Sequence, residues 1–224
     1  MKFISVKAVP MVFWSSAEPL NPKPRLLTLG LLCLGLLIFG VGEASLIAAG
    51  AGVSPWIVLS QGVSNLTAWS VGFSTFVVSL TVLLLWLPLR QKPGIGTILN
   101  AVVIAAVIDV SLRYLPSPDP FYLKVLQSLA GVLVVGIGSG LYLCANLGPG
   151  PRDGLMTGLQ RRTGLPIAVV RTTIEITAVI LGWSLGGVVG VGTVLFALGI
   201  GPAVSAGLYL VMTLSNASRG VAFD

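Results

Sequence analysis

The sequence contains no histidine, and only 9% of its residues are charged. Without an imidazole there is no Ser-His-Asp relay, no histidine metal ligand and no unperturbed side chain that titrates near neutral pH. Cysteine is almost as scarce: Cys33 and Cys144 lie inside apolar runs, with neither a CxxC pair nor metal-ligand spacing, and read as small packing residues. A basic stripe is missing too. Thirteen Lys and Arg give a net charge of +6, but they are scattered, which argues against a nucleic-acid partner. The glycine-rich run GPGPRDG lacks the GxxxxGK[ST] and GxGxxG spacings, so no nucleotide cofactor is implied. No catalytic constellation, metal site or cofactor is expected, and the chain is not read as an enzyme.

What is abundant is apolar surface. Hydrophobic residues make up 55% of the chain and the mean hydropathy is +0.99, too apolar to face water, so the solvent is lipid. Crossing a ~30 Å hydrocarbon layer takes about 20 apolar residues, which must be helical because lipid offers backbone groups no other partner. Gly/Pro punctuation and charge bound six such spans: Leu26–Ala49, Ala68–Leu89, Gly94–Leu115, Leu123–Ala145, Pro166–Leu185 and Gly190–Leu214.

The organisation is a duplication. Gly94-Ile95-Gly96-Thr97 recurs as Gly190-Val191-Gly192-Thr193, an offset of 96 that also pairs Gly52 with Gly148, Pro55 with Pro151, Gly62 with Gly158 and Thr67 with Thr163. The reading is a tail at 1–25, a first membrane repeat at 26–115, a linker at 116–122, a second repeat at 123–214 and a tail at 215–224. Prolines 10, 19, 22 and 24 with Glu18 break any leader-like apolar core, so the first tail reads as cytoplasmic rather than as a removed signal.

With six spans, Lys2, Lys7, Lys23, Arg25, Arg90, Lys92, Arg152, Arg161, Arg162 and Arg219 fall on one side and only Arg113 and Lys124 on the other, which places both termini in the cytoplasm. Equivalent loops carry opposite charge bias: residues 90–93 are basic, residues 186–189 uncharged. Three spans per unit and that alternation define an inverted repeat. Each unit also holds a shorter segment, 53–65 and 151–162, opened by a Gly/Pro break. At ~18 Å such a helix cannot span, so it re-enters the bilayer or lies at the interface. Gly150, Gly154 and Gly158 give the second one a smooth face that favours burial.

The run Leu147-Gly-Pro-Gly-Pro-Arg-Asp-Gly-Leu-Met-Thr-Gly-Leu159 with Arg161-Arg-Thr-Gly164, the later Arg171-Thr172 with Glu175, and Gly190-Val-Gly-Thr-Val-Leu195 resemble bacterial membrane proteins of the YczE/YyaS/YitT type, closest to the YczE-like branch. So do Gly52-Val-Ser-Pro-Trp56 and Arg90-Gln-Lys-Pro-Gly-Ile-Gly-Thr97, and the likeness extends over about residues 26–205. It implies a bacterial cytoplasmic membrane protein and assigns no activity. The family pattern carries acidic residues around the first proline-tryptophan pair, where this chain has Ser54 and Ile57, so no acidic site shared by both halves is implied.

Charges inside spans cost about 2.5–3.5 kcal/mol each, and each therefore needs a reason. Glu175 lies ~13 Å into its span and one turn from Arg171, giving either a structural ion pair or a site for a charged solute or proton. Arg152, Asp153 and Gly150 open the second short helix and Ser54 the first. Asp153 suits that N-terminus as an acid, and Arg152 with free N–H groups suits an anion. Glu43 and Asp109 are secondary candidates near outer helix ends, Asp109 with Arg113 at i,i+4. Trp14, Trp56, Trp69, Trp86 and Trp183 read as interfacial anchors. The expected function is transport of a small solute or ion. The alternative is a non-transporting accessory or regulatory membrane protein. The expected partners are the lipid bilayer and an unidentified small solute, with a homo-oligomer as a further option.

Overall fold

In a computed structural model, which describes residues 9–217, the chain is all-helical: α1 Leu26–Ala49, α2 Pro55–Thr67, α3 Val71–Leu84, α4 Trp86–Leu89, α5 Ile95–Ser111, α6 Phe121–Cys144, α7 Pro151–Thr163, α8 Ile167–Ser184 and α9 Val191–Ala217. Among the described residues there is no strand. Lys2, Lys7, Arg219 and the last seven residues of the C-terminal tail lie outside them.

Among the described residues five stretches are long and apolar enough to cross a membrane: α1, α3 with α4 (Val71–Leu89), α6, α8 and α9. The third expected span, Gly94–Leu115, is a 17-residue helix that ends at Ser111 and falls short of that length. Large apolar side chains such as Leu26, Leu87, Leu198 and Leu214 stand exposed on the outside, as a lipid-facing surface requires.

Helices start 96 residues apart at Pro55 and Pro151, Val71 and Ile167, and Ile95 and Val191. The described residues with positive φ fall into four pairs at the same offset: Gly50 with Asn146, Gly52 with Gly148, Ala68 with Gly164, and Arg90 with Gly186. Left-handed backbone is rare, so the halves share a chain path and not only a composition.

The halves also grip each other reciprocally. The Gly96 N–H donates to the Leu147 carbonyl at 2.7 Å, and the Gly192 N–H donates to Ala51, the counterpart of Leu147, at 2.7 Å. At the centre α1 packs on α6 through glycines: a Cβ on Gly42 would stand 2.7 Å from the Val135 nitrogen, and one on Gly138 would stand 2.5 Å from that of Phe39, the Val135 counterpart. Small residues allow this close approach, where lipid supplies no hydrophobic drive between helices.

The N-terminal segment is docked rather than loose. Ser15 Oγ donates to the Cys144 carbonyl, the Ser16 N–H to Ala145 and Asn146 Nδ2 to the Ser16 carbonyl, and Trp14 is buried. The first two satisfy carbonyls left free at the end of α6, and the third satisfies a carbonyl of the segment itself.

Three tryptophan expectations are corrected. Trp14, Trp56 and Trp86 are buried in the protein and only Trp69 and Trp183 are exposed. Trp86 covers the glycine face of α7, where a Cβ on Gly154 would fall 2.0 Å from its ring, and donates from Nε1 to the Pro151 carbonyl at 3.0 Å. Its indole therefore serves helix packing.

Candidate functional site

Both short helices begin with proline at the first helical position, where a missing N–H costs nothing. The first turn of α2 is buried and that of α7 buried or, at Arg152 and Asp153, half-buried, whereas the last turns, Asn65–Thr67 and Arg161–Thr163, are exposed. The two N-terminal ends therefore meet inside the molecule, and Pro55 and Gly150 both line a cavity of about 190 Å³ between the halves. Equivalent residues face each other across it: Phe39 and Val135, Asn100 and Phe196, Ile104 and Ile200. A larger apolar cleft of about 450 Å³ between α3 and α8 holds no charged side chain.

The first cavity is where the charges are. Arg152, Asp153, Arg171 and Glu175 line it. Arg171 Nε donates to Glu175 Oε1 at 2.9 Å, the i,i+4 pair read from the spacing. Asp153 Oδ2 accepts from the Tyr142 hydroxyl at 2.7 Å. Arg152 lies with its guanidinium carbon 5.4 Å from the centre of the Trp56 ring, a cation–π contact between the second residues of the two short helices. Behind it, Arg152 Nη1 is 3.8 Å from Glu43 Oε1, and the Ser54 hydroxyl donates to the same carboxylate, 2.8 Å from Oε2. Ser54 thus holds Glu43 instead of capping α2.

Two placements differ from expectation. Glu43 has no exposed surface, because α6 packs along α1 and Ser54 and Arg152 close on its carboxylate; it is the deeply buried carboxylate, whereas the Glu175 side chain keeps 23% of its surface exposed. Asp109 does not pair with Arg113. It turns to α3, where Oδ1 accepts from the Gly72 N–H at 2.8 Å and Oδ2 from the Ser70 hydroxyl. Orphan N–H groups of a helix start are stronger partners than an exposed arginine.

That Asp109 clasp marks an asymmetry. In the first half α3 packs along α5: Gly72 sits on the Ala105 carbonyl, and Thr75, Ser79, Ala105 and Ile108 are buried. In the second half α8 does not pack along α9. The counterparts Ala168, Arg171 and Gly201 are exposed, and Gly201 has open space where a Cβ would stand. Ser205 replaces Asp109 and bonds its own helix at Gly201, while Pro202 beside it, with no N–H to give, removes one backbone bond from the continuous helix α9. One seam over the cavity is closed and its equivalent is parted.

Residues 26–207 match a family of unknown function, DUF6198. The chain belongs to that family. An uncharacterized protein of Haemophilus influenzae is 40% identical over 94% of this chain and 96% of its own length. The uncharacterized membrane protein YczE of Bacillus subtilis is 34% identical over 73% of the chain and 77% of its own length, and YyaS of the same organism 27% identical over 72% and 83%. No solved structure matches. With its apolar helices, this DUF6198 chain is a membrane protein of an uncharacterised family.

Of the site residues read from sequence, the cavity brings together Arg152, Asp153, Gly150, Arg171 and Glu175, with Ser54 and Glu43 behind them; Asp109 stands apart. Trp56, Tyr142, Asn100 and Ser139 also line it and were missed. Trp56 carried a usable signal, since the offset of 96 makes it the counterpart of Arg152. Among the described residues no group of three metal-ligating side chains occurs.

Proposed function

We propose that this protein is a six-span transporter of a small charged solute in the bacterial cytoplasmic membrane, without enzymatic activity. In this reading two three-span units sit upside down relative to each other, both termini are cytoplasmic, and α2 and α7 re-enter from opposite sides to meet at the cavity. Reciprocal bonds such as Gly96 to Leu147 and Gly192 to Ala51 support a two-fold relation between the units. The alternating loop charge supports an axis in the membrane plane.

The observation that carries transport over a static role is the unequal pair of seams. A protein built from two equivalent units can hold one seam closed and one open, and exchanging the two states opens the central site to the other side. Asp109 clasps the closed seam, and Gly201–Pro202 supplies a bending point at the open one.

The test compares melting temperature and proteoliposome uptake for Glu175→Gln, Arg171→Gln and the double variant. A transport role gives folded single variants with lost uptake. Full uptake in a folded double variant removes the pair from the mechanism. Uptake by no form of the protein, with wild-type stability retained, favours an accessory protein instead.

A further inference from the structure

The cavity's uncommitted hydrogen-bonding groups are mostly of one kind. Each carboxylate near it already has a donor: Asp153 has Tyr142, Glu175 has Arg171, and the buried Glu43 has Ser54. The donors are less occupied. Among the described residues the Arg152 guanidinium makes no hydrogen bond, only the 3.8 Å ion pair with Glu43 and the ring contact with Trp56. Trp56, buried and lining the cavity, has an indole N–H with no partner. The first-turn N–H groups of Trp56, Ile57, Arg152 and Asp153 are also unpaired, as helix starts leave them. Arg171 spends Nε on Glu175 and keeps its two terminal nitrogens.

The charged lining side chains, Arg152 and Arg171 against Asp153 and Glu175, balance. Two converging helix N-termini add partial positive charge. An ammonium would find one oxygen on each of Asp153 and Glu175 without a hydrogen bond, on carboxylates that each already hold a donor, and these are fewer than the free donors. An anion would meet free donors, including a planar guanidinium fork that matches a carboxylate. The rest of the wall, Phe39, Ile104, Val135, Met156, Phe196 and Ile200, is apolar. That suits an organic body better than a hydrated inorganic ion, and about 190 Å³ holds roughly six waters' worth of ligand.

We infer that the cavity binds a small organic monocarboxylate, its carboxylate held by Arg152, the Trp56 indole N–H and the opening turns of α2 and α7, its apolar part against Phe39, Phe196 and Ile200. This rests on the transport reading only for its purpose; the site is a matter of binding. Glu43, 3.8 Å from Arg152, without exposed surface and held by the Ser54 hydroxyl, remains the standing counter-ion of the guanidinium, whose unused N–H groups are what the bound carboxylate takes.

The experiment is thermal unfolding of the purified full-length protein with acetate or benzoate, against chloride, sulfate and ethylammonium at matched ionic strength. The two carboxylates are expected to raise the melting temperature saturably, as ligands of the folded state do. Arg152→Lys, which keeps charge but loses the fork, should weaken them at least tenfold, and Trp56→Phe severalfold. Arg152→Gln leaves Glu43 buried without its cation and can unfold the chain, so the double variant Arg152→Gln/Glu43→Gln carries the same test, with the carboxylate shift lost in a folded protein. An equal shift with sulfate, a carboxylate shift that survives in the double variant, or no saturable shift overturns the inference. A shift with ethylammonium that Glu175→Gln removes overturns the carboxylate class but leaves transport standing. Carboxylate binding without acetate uptake in proteoliposomes keeps the site and overturns transport.

Discussion

Alanine in place of Gly52 or Gly148 probes the contact between the halves from both ends. Gly52 has φ +108, and a Cβ there would lie 2.6 Å from the Gly190 nitrogen and 2.8 Å from Thr193 Oγ1. Gly148 has φ +104, and its Cβ would lie 2.8 Å from Thr97 Oγ1 and 2.9 Å from the Gly94 Cα. Backbone strain at such φ costs about 1–3 kcal/mol, and forcing a methyl against rigid backbone about 1–3 kcal/mol more. Each substitution should therefore destabilise by roughly 2–6 kcal/mol. The control is two residues away. Gly50 has φ +64 and open space around it, and its counterpart is Asn146 at φ 50, so Gly50→Asn should change stability by less than about 0.5 kcal/mol. Unfolding of the purified protein in detergent, scored at equal loading, reads all three. Gly52→Ala at wild-type stability, or Gly50→Asn as damaging as Gly52→Ala, would refute the shared chain path.

Gly154→Ala should destabilise by about 1–3 kcal/mol because the Trp86 ring has to leave its place, a loss visible as increased tryptophan quenching. Asp109→Ala removes the acceptor for Ser70 and the Gly72 N–H; a cost of about 1–3 kcal/mol should come with faster amide exchange at the start of α3 and not of α8. Glu43→Ala should cost up to about 3–5 kcal/mol by leaving Arg152 without its counter-ion, and Glu43→Leu/Arg152→Met should recover most of that stability.

Much of the architecture was legible because glycine and proline carry backbone information that apolar composition does not. Pro55 and Pro151, Gly52 and Gly148, and Gly94 and Gly190 marked helix starts and turns that the structure places 96 residues apart. The i,i+4 pair of Arg171 and Glu175 was readable because both partners sit on one helix. What was not readable depends on which helix covers which. Depth along a helix put Glu43 near water, but α6 packs along α1, and Ser54 and Arg152 close on the carboxylate, leaving it no exposed surface. Local spacing paired Asp109 with Arg113, but the competing partners, Ser70 and the Gly72 N–H, are on another helix. Aromatic composition suggested interfacial tryptophans, but Trp86 is buried against glycine-faced α7, and only tertiary contact decides that. The Tyr142–Asp153 bond likewise crosses from α6 to α7 and leaves no trace in the spacing.

Exchange between a closed and a parted seam is tested most directly by a disulfide that can form only if α8 closes on α9. Ala168 and Ser205 are the counterparts of Gly72 and Asp109, where a Cβ on Gly72 would stand 2.5 Å from the Asp109 carboxyl carbon. With Cys33 and Cys144 replaced by serine, Ala168→Cys/Ser205→Cys in native membranes should cross-link under mild oxidation as the second seam samples the closed state, and the cross-link should arrest uptake until it is reduced. No cross-link under any condition, or unchanged uptake in fully cross-linked protein, would contradict a transporter that alternates its two seams.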